Sequence, residues 1–175
     1  IHVNQVNFLG RTIKSSLSDS QVISELVVDV EKYLVLIDKS HHRGLHKVWI
    51  LHHLLIPRVR WPLLIYEVSI STASKLEKRI SSFVRKWLKL HPSITNISLY
   101  SSFSPCPLPL KSLTSILKSC KVSGHLLLRD SNDPSVSSHS VKLKSGTWKV
   151  EDAVTAAESE IMFREILGHH QTGIA

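Results

Sequence analysis

Between Thr72 and Leu90 the residues sort onto two faces, and this sorting constrains the fold more than any other feature of the chain. At about 100° per residue, Leu76, Ile80, Phe83, Val84 and Trp87 fall on one side of a helix. Lys75, Lys78, Arg79, Arg85, Lys86 and Lys89 fall on another, with Ser82 among them; Glu77, the only acid of the stretch, sits off that stripe. Such a helix buries its apolar side against other elements and leaves a cationic ridge outside. Like charges three and four residues apart repel by about 0.2–0.5 kcal/mol per pair, so surface helices usually mix their signs. A line of phosphates would relieve that repulsion. The plainer alternative is a solvated face with no partner.

The same period recurs upstream. Val22, Ile23, Leu26, Val30, Tyr33, Leu34 and Ile37 predict a helix from about Asp19 to Asp38, with Ser18-Asp19-Ser20 as N-cap candidates. His41-His42-Arg43-Gly44 is the turn to a second helix, about Leu45 to Leu55. That helix is apolar nearly all round, so it is expected to be buried, and it is expected to stop near Pro57. Arg58 to Pro62 reads as a basic connector. Ser71-Thr72 caps the ridge helix and His91-Pro92 ends it. A Ser/Pro-rich loop covers Ser101 to Pro109, and a helix is expected from Ser112 to about Leu128. A loop opens at Asn132-Asp133-Pro134, and a short strand-like piece covers Ser140 to Leu143. The last helix runs from about Val150 to Leu167, with Glu151-Asp152 in its first turn. The opening residues, Ile1 to Gly10, alternate as a β-strand with no evident hairpin partner, and the N-terminus is read as a cut through something larger. The expected class is mainly α: a helical bundle at 18–130, after a strand at 1–17 and before a linker and C-terminal helix at 131–175.

Composition bounds the function. Apolar residues make up 42% of the 175 and charged residues 21%, enough for a packed core and unlike a disordered chain. The formal charge of +8 points towards a polyanion, either nucleic acid or an anionic membrane surface. Two cysteines, Cys106 and Cys120, are too few for a disulfide scaffold, and Val48 to Ile56 falls short of the roughly 18 residues of a membrane span. An intracellular chain, nuclear or cytoplasmic, is expected. The acids Asp19, Asp29, Asp38, Asp130, Asp133 and Asp152 are scattered, and there is no aromatic-x-Asp-Asp box and no Gly-x-Ser-x-Gly. Cys106, Cys120, His125 and His139 lack the short ligand spacing of a zinc site, and His52-His53 would diverge by about 100° on a helix. No catalytic residue, metal or cofactor is nominated. The binding candidates are the six ridge cations with Arg58 and Arg60; Arg43, His46 and Lys47 could extend the same surface. Trp61 could stack on a base, but a core anchor beside Pro62 is the favoured reading.

Several stretches, in order, resemble the C-terminal part of reverse transcriptases from non-LTR (LINE-like) retrotransposons. They include Phe8-Leu9-Gly10-Arg11-Thr12-Ile13 followed by Ser16-Leu17-Ser18-Asp19. Next come Ile37-Asp38-Lys39-Ser40 and Gly44-Leu45-His46-Lys47-Val48-Trp49-Ile50. The longest run from Leu54-Leu55-Ile56-Pro57-Arg58-Val59-Arg60-Trp61-Pro62 through Glu67, and from Ile80-Ser81-Ser82-Phe83-Val84-Arg85-Lys86-Trp87-Leu88. Ser93 to Tyr100, Leu108 to Leu113, Leu128-Arg129-Asp130-Ser131 and Ser145-Gly146-Thr147-Trp148 also fit, so the resemblance covers nearly the whole chain.

The resemblance implies a thumb-like bundle that grips a template–primer duplex, with Phe8, Leu9 and Gly10 as a primer-grip remnant. It also implies that the catalytic acids belong to an upstream palm. The placement of backbone contacts on the basic helix comes from the charge pattern, not from the family. The expected partner is an RNA/DNA duplex or other nucleic acid, with the missing palm or a protein as further partners. The alternative is a transposon-derived helical module reused by its host for protein interaction, which would expose an apolar surface around Phe8, Val27 and Leu34.

Overall fold

The computed structural model describes residues 5–8, 11–14, 19–100, 108, 110–139, 141 and 147–159. The chain is mainly helical and divides into two compact units, Ile1–Leu117 and Lys118–Ala175. This division does not coincide with the boundaries expected at 17/18 and 130/131.

The first unit opens with a hairpin. Strand β1 (Gln5–Phe8) pairs antiparallel with β2 (Arg11–Lys14), Gln5 opposite Lys14 and Phe8 opposite Arg11. The opening strand therefore has the partner that the sequence reading did not find. The partner, Arg11–Lys14, is a short segment bounded by two cations, whose apolar alternation is weak.

Three long helical elements follow: α1 (Ser20–Lys39), the rod Gly44–Ile65, and α4 (Ile70–Trp87). The rod consists of α2 (Gly44–Ile50), a π turn (Leu51–Leu55) and α3 (Ile56–Ile65) without a break. The helix thus runs through Pro57, where it was expected to stop. Pro57 has no N–H to give, and its ring would crowd the carbonyl four residues back in a regular α-helix. The turn just before it is widened, with the Ile56 N–H donating to the Leu51 carbonyl, and such a wider turn relieves that crowding.

Hydrogen bonds fix the directions. Glu31 on α1 meets Arg79 on α4, and Asp38 two turns on meets Lys86, the second pair at the same offset of 48 as the first. A constant offset means that α1 and α4 run parallel. The rod runs back antiparallel to both and packs against each. The Lys47 Nζ near its start donates to the Asp38 carbonyl at the end of α1, and the Glu67 N–H past its end donates to Asp19 Oδ2 at the start of α1. The unit is an up-down-up bundle of three long elements. Its core is mostly aliphatic, with a few aromatics: Leu26, Val30, Leu34 and Ile37 from α1, Val48, Leu51, Leu55, Val59 and Leu63 from the rod, and Leu76, Ile80, Phe83, Val84 and Trp87 from α4 are all buried.

Two further expectations are corrected here. The rod is not buried all round: Leu45, Trp49 and Leu54 are 69%, 55% and 63% exposed. Its partners cover one side only. Leu34, expected on an exposed apolar surface, is fully buried, whereas Val27 is indeed exposed.

Helix α4 begins two residues earlier than Ser71-Thr72 would cap it, because the Ser69 hydroxyl accepts from the Thr72 N–H at 3.2 Å. It ends at Trp87 and not Leu90. Lys89 takes φ 53, with its N–H on the Lys86 carbonyl and the Leu90 N–H on the Arg85 carbonyl. These two bonds form a Schellman stop, here with lysine at the left-handed position where glycine is the usual residue.

After α5 (Asn96–Tyr100), α6 (Leu113–Arg129) leads into the second unit. There the loop expected from Asn132 holds a short helix, α7 (Pro134–Ser137), capped by the Asp133 carboxylate accepting from the Ser135 N–H at 2.8 Å. Residues 150–159 are helical, and Arg129 bridges Asp130 and Glu158 at 2.8 Å each. Val141 is in no strand; the rest of the strand expected at Ser140–Leu143, most of the loop at Ser101–Pro109 and the helix beyond 159 lie outside the described residues.

Candidate nucleic-acid interface

Helix α4 presents four sides, and each has its own chemistry. One is the core face. A second faces α1: the Arg79 guanidinium holds Glu31 through two nitrogens, Nε at 2.8 Å from Oε2, and also lies 4.9 Å over the Phe83 ring. Lys86 Nζ sits 2.7 Å from Asp38 Oδ2, and the Trp87 indole N–H donates to Asp38 Oδ1 at 2.9 Å. The hydrogen bond from Arg79 holds Glu31 below its ordinary pKa, and those from Lys86 and Trp87 do the same for Asp38.

A third side anchors the chain that follows. Arg85 Nε donates to the Ile94 carbonyl at 3.0 Å and its terminal nitrogen to Asn96 Oδ1. Ser81, fully buried, gives its proton to the Glu77 carbonyl at 2.8 Å and accepts from the Tyr100 hydroxyl at 2.7 Å. Burial pushes the Tyr100 phenol up. Glu77, the lone acid of the helix, caps the start of α6: its Oε2 accepts from the Ser112 hydroxyl, the Thr114 N–H and the Thr114 hydroxyl, at 2.7, 2.9 and 2.8 Å.

The fourth side faces outward and carries Lys75, Lys78 and Ser82, with Lys89 just beyond the helix end; all four are exposed. Among the described residues these three lysines make no ion pair. The sequence-nominated ridge therefore divides into three groups. Lys75, Lys78 and Lys89 are available. Arg79 and Lys86 are paired yet keep 52% and 66% of their side chains exposed. Arg85 is committed to internal bonds.

Arg58 and Arg60 are exposed on α3, Arg58 with its guanidinium 4.7 Å over the Tyr33 ring of α1. They belong to the rod and not to the α4 ridge. Trp61, favoured as a core anchor, is 40% exposed; its neighbours Pro62 and Leu63 are the buried ones. Of the primer-grip candidates, Phe8 closes β1, opposite Arg11, while Leu9 and Gly10 lie outside the described residues. The partners missed by sequence reasoning are Glu31 and Asp38. Their signal was present: two acids two turns apart on α1, matching the two-turn spacing of Arg79 and Lys86.

Among the described residues no cluster of His, Cys, Asp and Glu could hold a metal ion, and no helix is long and apolar enough to cross a membrane. No protein-family model, no curated protein and no solved structure matches the chain.

Proposed function

We propose that this chain is a nucleic-acid-binding helical module of the reverse-transcriptase thumb kind, gripping a template–primer backbone in a binding and not a catalytic role. The observation that carries this reading is the outer side of α4, where Lys75 and Lys78, in no ion pair among the described residues, stand exposed beside the exposed ends of Arg79 and Lys86. An exposed ridge of one sign, on a chain of net charge +8, suits a line of phosphates. The sequence resemblance described above points the same way.

The test is binding to an RNA–DNA hybrid duplex, read by fluorescence anisotropy at several salt concentrations. Three lysine contacts give a slope of log K against log salt near −2.7, and engagement of Arg79 and Lys86 as well takes it to about −4.5, at about −0.9 per contact. Lys75→Ala with Lys78→Ala reduces the magnitude of the slope by about 2. A folded sample that binds no duplex at low salt overturns the proposal.

A further inference from the structure

The outer face of the rod is a second surface with different chemistry. Two tryptophans are exposed on it, Trp49 at 55% and Trp61 at 40%, whereas Trp87 is buried in the core. The Trp49 and His53 rings lie 4.5 Å apart at 37°, and His52 meets His53 edge-on at 4.8 Å. The π turn sets the alignment. In an unbroken α-helix Trp61 would stand about 120° around the axis from Trp49, and the one extra residue of the π turn brings it to within about 20°. The two rings then share one line about 16 Å long, at about 1.5 Å rise per residue with the extra residue of the π turn adding little. On the same reckoning Arg58 and Arg60 fall about 80° to either side of that line, and both are exposed. From Ser40 to Tyr66 there is no Asp or Glu at all.

We infer that this face binds unpaired nucleic-acid strand, with Trp49–His53 and Trp61 stacking on bases and Arg58 and Arg60 meeting phosphates. Spaced rings with cations on both flanks match the alternation of base and phosphate along a single strand. The rod itself carries no acid over this length, Asp29 of α1 lying in the cleft beside Arg58, and such an excess of cations suits a polyanion. Leu45, Leu54 and Ile65 are exposed on the same rod, so a lipid surface is the competing occupant; the cations flanking the rings favour the strand. The site is on a different helical element from the α4 ridge and does not depend on it.

The experiment uses the full chain and a short fluorescent oligothymidylate, whose bases stack little on each other. Trp49→Ala and Trp61→Ala each weaken binding by roughly 5- to 150-fold, the range for loss of one stacked base. Trp49→Phe and Trp61→Phe, which keep a ring face, stay within a few-fold of the parent. An abasic strand of equal length binds as weakly as the alanine variants. Circular dichroism confirms that the variants fold, and both positions are exposed. Equal binding of the abasic strand, or alanine variants that bind oligothymidylate like the parent, overturns the inference. So does capture by phosphatidylserine vesicles with no oligothymidylate binding. Duplex binding by the Lys75→Ala, Lys78→Ala variant is read in parallel: its loss with strand binding retained separates the two sites, and its retention with strand binding lost to Trp49→Ala overturns the α4 reading alone.

Discussion

Replacing Gly44 by alanine sets two effects of opposite sign against each other. Gly44 opens the rod, and alanine in a helix is favoured over glycine by about 1 kcal/mol, partly through a less flexible unfolded chain. The new Cβ, however, would stand 2.0 Å from the Trp87 carbonyl oxygen and 2.8 Å from its carbon. These are backbone atoms at the end of α4, so no side chain can swing aside. The start of the rod must move away by more than about 1 Å, and overpacking of this kind costs about 3 kcal/mol. The net loss is about 2 kcal/mol, a fall in Tm of roughly 4–8 °C for a chain of this size. Gly124→Ala is the matched control. Its Cβ would meet only Val141 Cγ2 at 3.6 Å, an ordinary contact, so the helical gain stands and stability rises by about 1 kcal/mol. Both are read by urea and thermal unfolding followed by far-UV circular dichroism. A Gly44→Ala protein as stable as the parent would refute the close approach of the rod to the end of α4.

Three other outcomes follow from the packing of α4 and the rod. Glu77→Ala removes the acceptor of three hydrogen bonds at the start of α6. It costs about 2 kcal/mol in urea unfolding, and Glu77→Gln, which keeps an acceptor oxygen, costs about half as much. Glu31 and Asp38 both have lowered pKa values, so the stability they contribute is present above their ordinary values of 4.5 and 3.8 and is lost as pH falls through the lower folded values. Acid unfolding of Glu31→Gln and Asp38→Asn should therefore show a shallower loss below about pH 4.5 than the parent. His52 has a buried Nδ1 with no hydrogen-bond partner among the described residues, and burial, with His53 and Lys111 adding, lowers its pKa from 6.5. Its neutral form is the folded one, so stability falls as pH drops below 6.5. His52→Leu should flatten that part of the stability–pH curve, and an unchanged slope would count against it.

The elements that were legible in the sequence are those whose packing is one-sided. α1 and α4 each bury one stripe, and a period near 3.6 reports that directly. The rod was harder to read, because its outer face carries Leu45, Trp49 and Leu54, which look like core on a helical wheel. Its two prolines also looked like ends, since the widened turn that accommodates Pro57 is a tertiary outcome with no local signature. For the candidate interface, the sequence supplied the cations but not their commitments. Arg85 and Lys86 are adjacent and alike in charge, yet one bonds Ile94 and Asn96 and the other bonds Asp38. Those partners are set by which side of α4 each residue reaches, and by segments that pack there from elsewhere in the chain.

The equal offset of the Glu31–Arg79 and Asp38–Lys86 pairs has an evolutionary reading. Two parallel helices locked at two heights act as a ruler, and the rod packed against both must fit it. Drift can therefore repaint the rod's outer face residue by residue, but a codon gained or lost within Gly44–Ile65 would shift one end of the rod against the other, with Gly44 pressed to Trp87 and Glu67 tied to Asp19. In related chains, length variation should collect in the exposed connection at 41–43 and spare both the rod and the anchored link at 66–69.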